Sequence, residues 1–168
     1  MSKRIMNEVM CLAEDLDIKI YYQDTDSMHL EKSKFELLKN EFYKKYGREL
    51  DGDDMGQFHS DFDELADSWA YKSIFNGKKC YIDLLTNEKG EKAIHYRMKG
   101  VSLDCVEYEA KERKQTLYEL YNNLFDEETI KFNLLATGIK LKSDKIRRIK
   151  TLTKFERRIS FKGKKNLI

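Results

Sequence analysis

The chain has 168 residues, of which 40% are hydrophobic and 37% charged, a length that suits one ordinary domain or two small lobes around a shared core. No apolar run approaches the length of a membrane-spanning helix, and the N-terminal residues lack the apolar core of a signal peptide, which predicts a soluble protein without membrane insertion. The three cysteines, Cys11, Cys80 and Cys105, are an odd number without CxxC spacing. This pattern disfavours a disulfide framework or a zinc site and predicts a reducing compartment.

The net charge of +2 conceals two segments of opposite sign. Eight acidic residues and no Lys or Arg lie between Glu49 and Asp67. Between Gly138 and Ile168, twelve basic residues stand against two acidic ones, a local net charge of +10. A basic segment this dense is typical either of a surface that binds a phosphate backbone or of a solvated tail, and charge alone does not decide between them.

The first predicted element is an amphipathic helix over residues 4–16. Ile5, Val9, Leu12 and Leu16 form one apolar stripe at helical spacing. The stripe predicts a helix that supports the core, and the chain passes from it directly into the next element.

Residues 18–31, IKIYYQDTDSMHLE, predict two short strands that meet at a turn. Apolar and polar residues alternate on both sides of Asp24, Thr25 and Asp26, as in a half-buried β-hairpin. Residues i and i+2 of a strand share a face, so Asp24 and Asp26 converge if the strand geometry continues into the turn. Two carboxylates that close repel each other unless they are protonated or bridged by a cation, and Mg²⁺ typically binds one or two carboxylates together with substrate phosphates. The pair is therefore the candidate metal site of the chain.

A second helix is predicted over residues 33–46. Ser33, with Glu36 three residues later, fits a capping box, and Gly47 is a natural C-terminal stop. In the acidic segment that follows, His59 lies near two aspartates and imitates a metal cluster, but a single histidine among acids is more often a surface group.

Residues 68–86 predict a second hairpin with its turn at Asn76-Gly77, a dipeptide common in two-residue turns. In the strand after that turn, Lys79 and Tyr81 share one face, so a cation and an amphipathic ring stand side by side. Such a pair suits a phosphate and a sugar or base edge of DNA, although a wet sheet face carries the same residues.

A third strand, AIHYRMKGVSL, follows a turn at residues 87–90. Arg97 and Lys99 share a face of this strand, and Gly100 allows a close backbone approach. Residues 105–125 then predict a helix in one or two pieces, and residues 129–135 predict a strand. From residue 140 onward the pattern favours short basic strands or loops.

The hairpin tip carries the pattern YxDTDS, formed by Tyr22, Gln23, Asp24, Thr25, Asp26 and Ser27. It resembles the third conserved polymerase motif of family B DNA polymerases, and the tyrosine-led form most resembles the protein-primed branch. Lys79-Cys80-Tyr81 matches the KxY motif of that family, and the RMKG sequence at residues 97–100 resembles its KxKG element. The three motifs follow one another in the family's order.

This resemblance implies the role of each residue. Asp26 would be a direct ligand of two catalytic Mg²⁺ ions, and Asp24 its neighbour, which orients the site or binds the metal. Tyr22, Thr25 and Ser27 would complete the motif. The DNA-binding residues implied for the primer terminus and its backbone are Lys79, Tyr81, Arg97, Lys99 and Gly100. Residues 1–100 would form the C-terminal part of an α+β palm with a predominantly antiparallel sheet, and residues 101–168 a small basic thumb.

The function implied is DNA-directed DNA polymerase activity, a nucleotidyl transfer from a dNTP to a primer 3′ hydroxyl on a template. The family's first palm motif and its finger motif KxxxNSxYG do not occur in the chain, so we expect no activity from the chain alone. The partners implied are primer-template DNA, dNTP, the missing N-terminal polymerase portion and a terminal protein. The compartment would be a host cytoplasm, nucleus or mitochondrion, or a viral setting.

Two alternatives remain open at the level of sequence. One is a fragment of a glycosyltransferase whose DxD holds a metal and a nucleotide-sugar diphosphate, although nothing upstream is long enough for a nucleotide-binding βαβ half. The other is a non-catalytic DNA-binding module that uses the basic C-terminal segment. DNA binding with a steep salt dependence that survives Asp26→Ala would favour this last reading.

Overall fold

The computed structural model describes residues 2–136, 140–142, 145–147 and 153–161. The helices are α1 (Ser2–Asp15), α2 (Lys32–Tyr46), α3 (Leu103–Glu112) and α4 (Leu117–Phe125). The strands are β1 (Ile20–Asp24), β2 (Ser27–Leu30), β3 (Trp69–Gly77), β4 (Cys80–Thr86), β5 (Lys92–Met98), β6 (Ile130–Ala136), β7 (Lys140–Lys142), β8 (Lys145–Arg147) and β9 (Thr153–Ile159). The chain is an α+β protein with antiparallel sheets, which confirms the predicted fold class.

Contacts along the chain divide it into two compact units. The first unit comprises Met1–Trp69 and Leu85–Ala93, and the second comprises Ala70–Leu84 and Ile94–Ile168. The division into residues 1–100 and 101–168 is a division by motif, and it stays a prediction. No helix in the described part of the chain is both long and apolar enough to cross a membrane.

The core of the first unit lies where α1 and α2 contact each other. It consists of Ile5, Val9, Leu12, Ala13, Ile18, Leu38, Phe42 and Leu50. Ile20, Met28 and Leu30 of the β1–β2 hairpin pack against this core. Helix α1 begins two residues before its predicted start and performs the predicted supporting role, because its apolar stripe is buried against the base of the hairpin.

Helix α2 has the predicted end and a different start. Gly47 ends the helix with a φ of 67°, and its N–H donates to the Tyr43 carbonyl oxygen at 2.8 Å. The predicted capping box of Ser33 and Glu36 is wrong, because the N-cap residue is Glu31. Strand β2 ends at Leu30, so the helix begins before Ser33, whose hydroxyl donates to the Glu31 carboxylate instead.

The second unit contains most of a three-stranded sheet with the order β3-β4-β5. The predicted turn at Asn76-Gly77 is wrong, because both residues belong to β3 and the turn is formed by Lys78 and Lys79. The Asn76 side chain is 3% exposed and its amide donates to the Tyr121 carbonyl oxygen at 3.0 Å. This buried hydrogen bond holds Asn76 in the sheet, since an unpaired buried amide would be costly.

The two hairpins do not share one sheet, contrary to the expectation of a single palm sheet. Strands β1 and β2 form a two-stranded sheet of their own, whereas β3, β4 and β5 form another. The predicted third strand exists as β5, but it ends at Met98, so residues 99–103 of the predicted segment lie outside it. The turn before it, over residues 87–90, is closed by a hydrogen bond from the Gly90 N–H to the Asn87 carbonyl oxygen at 3.0 Å.

Helices α3 and α4 and the strand pair β6–β9 complete the second unit. Helix α4 begins with a capping box in which the Thr116 hydroxyl and the Glu119 carboxylate each accept the other's backbone N–H. Strand β6 pairs antiparallel with β9, from Ile130 opposite Ile159 to Ala136 opposite Thr153. The core residues are Ile74, Cys80, Ile82, Tyr96, Met98, Val101, Val106, Ala110, Leu120, Tyr121, Leu124, Ile130 and Phe132.

The basic C-terminal segment is only partly described. Strands β7 and β8 form an antiparallel pair, as expected for short basic strands, and β9 contributes two arginines whose side chains are described, Arg157 and Arg158. Several basic residues of this segment, among them Arg148, Lys150 and Lys162, lie outside the described residues. The three cysteines are free thiols, of which Cys80 is buried and Cys11 exposed.

Candidate metal-binding hairpin and basic groove

The β1–β2 hairpin places two carboxylates at its tip, as the sequence predicted. Asp24 is the last residue of β1 and pairs with Ser27, and Thr25 and Asp26 form the turn between them. Asp24 is half-buried, and Asp26 is exposed. The hairpin register is irregular between Ile20 and Tyr22, so one extra residue is inserted on β1 near the exposed Tyr21 ring.

Strand geometry does not continue through the tip. Thr25 has a φ of 45°, and the Asp26 N–H donates to the Asp24 carbonyl oxygen at 2.5 Å, as in a tight three-residue turn. The condition under which the i, i+2 rule would bring Asp24 and Asp26 to one face is therefore not met. Any convergence of the two carboxylates on an ion depends on the turn and on side-chain rotamers.

Thr25 is strained in this conformation. A β-branched residue in the left-handed region is a backbone outlier and costs on the order of 1–3 kcal/mol. The Thr25 hydroxyl donates to the Asp24 carboxylate at 3.0 Å, and the Ser27 hydroxyl donates to the Asp24 carbonyl oxygen at 3.1 Å. Both hydroxyl residues of the motif therefore hold Asp24, and Asp26 keeps an exposed carboxylate.

Tyr22 supports the hairpin across the strand pair. It lies opposite His29 in the register, and the two rings meet edge to face with centroids 5.5 Å apart. His29 also contacts the Phe62 ring at 6.4 Å, which ties the acidic segment to the hairpin. The Tyr22 side chain thus stabilises the strand that carries Asp24.

The donor chemistry at the tip fits a hard divalent cation. Two carboxylates within three residues match Mg²⁺, which keeps several waters and needs only one or two protein carboxylates beside substrate phosphates. Within the described residues, no group of three or more His, Cys, Asp or Glu side chains is arranged to hold a metal ion. In the acidic segment, His59 Nε2 and Asp61 Oδ1 lie 3.7 Å apart, and both side chains are exposed.

The structure corrects the predicted geometry of Lys79 and Tyr81. Lys79 lies in the β3–β4 turn with a φ of 57°, so it does not share a strand face with Tyr81. The Tyr81 ring is half-buried, with its centroid 5.9 Å from the ring of the buried His95 and 6.2 Å from that of Phe75. The cation stands on a turn and the ring lies within an aromatic cluster.

Arg97, Lys99 and Gly100 lie at the opposite end of β5 from the Asn87 turn. Arg97 and Lys99 are both exposed on either side of the buried Met98, but β5 ends at Met98 and Lys99 lies in the turn that follows, so the predicted common strand face is not formed. Gly100 lies in a turn that is closed by a hydrogen bond from the Val101 N–H to the Met98 carbonyl oxygen at 3.2 Å. Its φ of 79° is a conformation that favours glycine at this position of a turn.

Tyr121 holds this end of β5 in place. Its hydroxyl donates to the Arg97 carbonyl oxygen at 2.9 Å, and its ring is fully buried. Burial raises the pKa of the Tyr121 hydroxyl far above its ordinary value, since the phenolate would lose its hydration.

The turns at Lys78-Lys79 and Lys99-Gly100 are joined directly. The Lys99 N–H donates to the Lys79 carbonyl oxygen at 2.8 Å. The close approach to Gly100 that the sequence predicted is made by Arg157 of β9, whose guanidinium donates to the Gly100 carbonyl oxygen at 3.0 Å. A β-carbon at position 100 would overlap that guanidinium.

An open groove of about 220 Å³ lies beside these turns in the second unit. Its lining residues are Lys78, Cys80, Met98, Lys99, Arg157, Arg158, Ile159, Ser160 and Phe161. Sequence reasoning assigned no site role to Lys78 or to the two arginines, although both arginines were counted in the basic segment. The charge run indicated a basic surface, but only the β6–β9 register could show where it lies.

Comparison with protein-family models, with curated proteins and with solved structures gives no significant match. The resemblance of YxDTDS to a polymerase motif therefore stays a prediction that depends on the motif residues themselves.

Proposed function

We propose that the chain supplies part of the nucleotidyl-transfer site of a DNA polymerase of the family B, protein-primed type, and that it works together with a segment carrying the remaining motifs. The observation that carries the proposal is the hairpin tip. There the YxDTDS residues form a tight turn that holds Asp24 through two hydroxyls and leaves the Asp26 carboxylate exposed.

Strain at the tip supports the proposal. Thr25 occupies a left-handed conformation that glycine or asparagine would adopt at lower cost. Strained residues concentrate at functional sites, where a fixed side-chain position outweighs the loss of stability. Here the strained residue also donates a hydrogen bond to one of the two candidate ligands, Asp24.

Asp26 and Asp24 would hold the magnesium ions of this site. Bound there, the ions would activate a primer 3′ hydroxyl and neutralise charge on the incoming triphosphate. Asp24 contributes a carboxylate whose orientation is set by the Thr25 hydroxyl, and Asp26 contributes the more accessible carboxylate. The α1–α2 core supports the strands that carry both residues.

The second unit would contribute contacts to the primer. Arg97 is an exposed cation near the end of β5, Lys99 is another in the turn that follows, and Lys79 adds a third from the neighbouring turn. Cations of this kind bind phosphates without reading sequence. Gly100 and Tyr81 serve these contacts indirectly, through the turn geometry and through packing against His95.

Primer extension tests the proposal. The chain is assayed with Mg²⁺, dNTPs and primer-template DNA, alone and mixed with a polypeptide that supplies the upstream palm and finger motifs. We expect incorporation only in the mixture, and its loss with Asp26→Asn, which removes the charge while keeping the side-chain size. Asp17→Asn is the matched control, because Asp17 is another exposed aspartate of the same unit that lies away from the tip.

A metal-binding readout tests the hairpin without any activity. NMR spectra of the isolated chain are recorded with Mn²⁺ in place of Mg²⁺. We expect paramagnetic broadening of the amide signals of residues 23–28. The broadening should disappear with Asp26→Asn and persist with Asp17→Asn. Broadening centred on the acidic segment near His59 instead would contradict the assignment.

The basic groove favours a second candidate, the non-catalytic DNA-binding module. Cationic side chains bind phosphate without a metal, so DNA binding by this module would persist with Asp26→Ala and in EDTA. If the mixture incorporates no nucleotide in primer extension and DNA binding persists in this way, the DNA-binding module replaces the polymerase proposal. The glycosyltransferase alternative gains no support from the described sheets, whose assigned ladders are antiparallel, whereas a nucleotide-binding βαβ unit needs parallel strands.

A further inference from the structure

The groove of the second unit gathers four cationic side chains and has no carboxylate among its lining residues. Two of the cations, Lys78 and Lys99, come from turns at the end of the β3-β4-β5 sheet, and the others, Arg157 and Arg158, come from β9. These two sources are far apart in sequence. The fold therefore concentrates positive charge at one place.

The cations lack negative partners within the described part of the chain. Lys78, Lys99 and Arg158 form no ion pair there, and Arg157 donates to a neutral acceptor, the Gly100 carbonyl oxygen. Elsewhere in the same unit the pattern is different, since Arg113 is paired with both Glu109 and Glu128. Like charges that face one groove without counter-charges repel one another and attract an anionic ligand.

Four of the nine residues that line the groove are apolar. Cys80 and Met98 are nearly fully buried, and the half-buried Ile159 and Phe161 pack against the core of the unit. A duplex presents phosphates at its outer surface and shields its bases, so its backbone would use the cations and leave the apolar surface unoccupied. A single strand also exposes sugars and base faces, which apolar and aromatic side chains contact.

We infer that this groove binds one strand of nucleic acid, with its phosphates on Lys78, Lys99, Arg157 and Arg158 and its sugars or bases toward the apolar floor. The inference uses the nucleic-acid partner of the proposed function but neither its carboxylate hairpin nor its metal. Lys78, Arg157 and Arg158 are cations to which the YxDTDS, KxY and RMKG motifs give no role.

Arg157 sets the shape of the site. Its guanidinium is anchored on the Gly100 carbonyl oxygen at 3.0 Å, next to the backbone of Lys99. This contact fixes one cation beside another, which lowers the entropy that must be lost when consecutive phosphates bind. A guanidinium also keeps further N–H donors for the ligand after donating to a carbonyl.

Fluorescence anisotropy of a labelled oligo(dT) of about a dozen nucleotides tests the inference, with the full chain in EDTA. For single strands, log K falls with log salt by about 0.7 per phosphate contact, so four contacts predict a loss of affinity of roughly 50-fold between about 50 and about 200 mM salt. Lys78→Gln combined with Arg158→Gln removes two contacts. The loss of affinity over the same change in salt should then be about sevenfold, instead of roughly 50-fold for the unaltered chain.

Lys111→Gln is the matched control, because Lys111 is an exposed lysine of the same unit on α3 that does not line the groove. We expect its salt dependence to equal that of the unaltered chain. Other basic residues of the chain contribute equally to all variants, so they cancel in the comparison. Circular dichroism checks that the exposed substitutions leave the fold intact.

A matched duplex should bind the unaltered chain more weakly than the single strand at equal salt. The inference is overturned if the double variant and Lys111→Gln change binding alike, or if the groove variant weakens only duplex binding. Failure of the polymerase proposal gives a different result. In that case single-strand binding would depend on the groove cations as stated, while primer extension stays silent.

Discussion

Substitution of Gly100 by alanine probes the corner where β5, its turn and β9 meet. Gly100 has a φ of 79°, and an alanine there pays the left-handed backbone cost of about 1–2 kcal/mol. Its β-carbon would also displace the Arg157 guanidinium, which is the flexible end of an exposed side chain and can move away. The added cost is then the lost hydrogen bond to the Gly100 carbonyl oxygen, about 0.5–1 kcal/mol for an exposed donor.

A double-mutant cycle separates these two contributions. Gly100→Ala should lower the free energy of unfolding by about 1.5–3 kcal/mol, and by about 0.5–1 kcal/mol less in an Arg157→Ala background, where the contact is already absent. Gly90→Ala is the reference for the backbone cost, since Gly90 has a φ of 78° with nothing within 4 Å of the added β-carbon. Equilibrium unfolding in urea gives each value. A coupling of zero between positions 100 and 157 would show that the hydrogen bond between them does not contribute to stability.

Three further predictions concern caps and burial in the two units. Thr116→Ala removes the capping box of α4 and should cost about 1 kcal/mol of unfolding free energy, whereas Ser33→Ala should be nearly neutral because Ser33 does not cap α2; urea midpoints of the two variants check this. Tyr121→Phe leaves the Arg97 carbonyl oxygen without its buried donor and should cost about 1–2 kcal/mol in the same assay. The raised pKa of the Tyr121 hydroxyl makes the free energy of unfolding depend on pH. The stabilisation is fully present below the unfolded pKa of about 10 and is lost above it by about 1.4 kcal/mol per pH unit. Tyr121→Phe should lack this loss when unfolding is measured between about pH 9 and 11.

The elements that sequence periodicity predicted best are those whose apolar stripe is buried. Helix α1 follows its pattern because Val9 and Leu12 are nearly fully buried in one core. The hairpin residues Ile20, Met28 and Leu30 pack against the same core. Local turn chemistry was a weaker guide. Asn76-Gly77 has the composition of a turn, but a tertiary hydrogen bond from Asn76 to the Tyr121 carbonyl places both residues in β3. No pattern around residue 76 carries information about a helix that begins forty residues later.

The capping box of α2 failed for a related reason. Ser33 and Glu36 have the right spacing, but where a helix begins depends on where the preceding strand ends. Strand β2 continues to Leu30 and α2 begins at Lys32, so Ser33 lies inside the first helical turn and not at the N-cap. At Thr116 the same pattern of a hydroxyl followed by Glu three residues later does cap a helix, because the residues before it are already free of regular structure. The signature is reliable only where no neighbouring element moves the boundary.

The turn at Lys78-Lys79 also changes where the cations of the second unit lie. On a strand, Lys79 would have stood beside the Tyr81 ring; in the turn, its carbonyl oxygen accepts the Lys99 N–H. The KxY-like and RMKG-like segments therefore meet through their turns, and Arg157 of β9 closes the same corner by bonding Gly100. Phosphate binding needs cations near one another and not a particular strand face. The inferred binding of one nucleic-acid strand therefore depends on the turns and not on a common strand face, and the anisotropy comparison of groove and control variants tests it through the change in affinity.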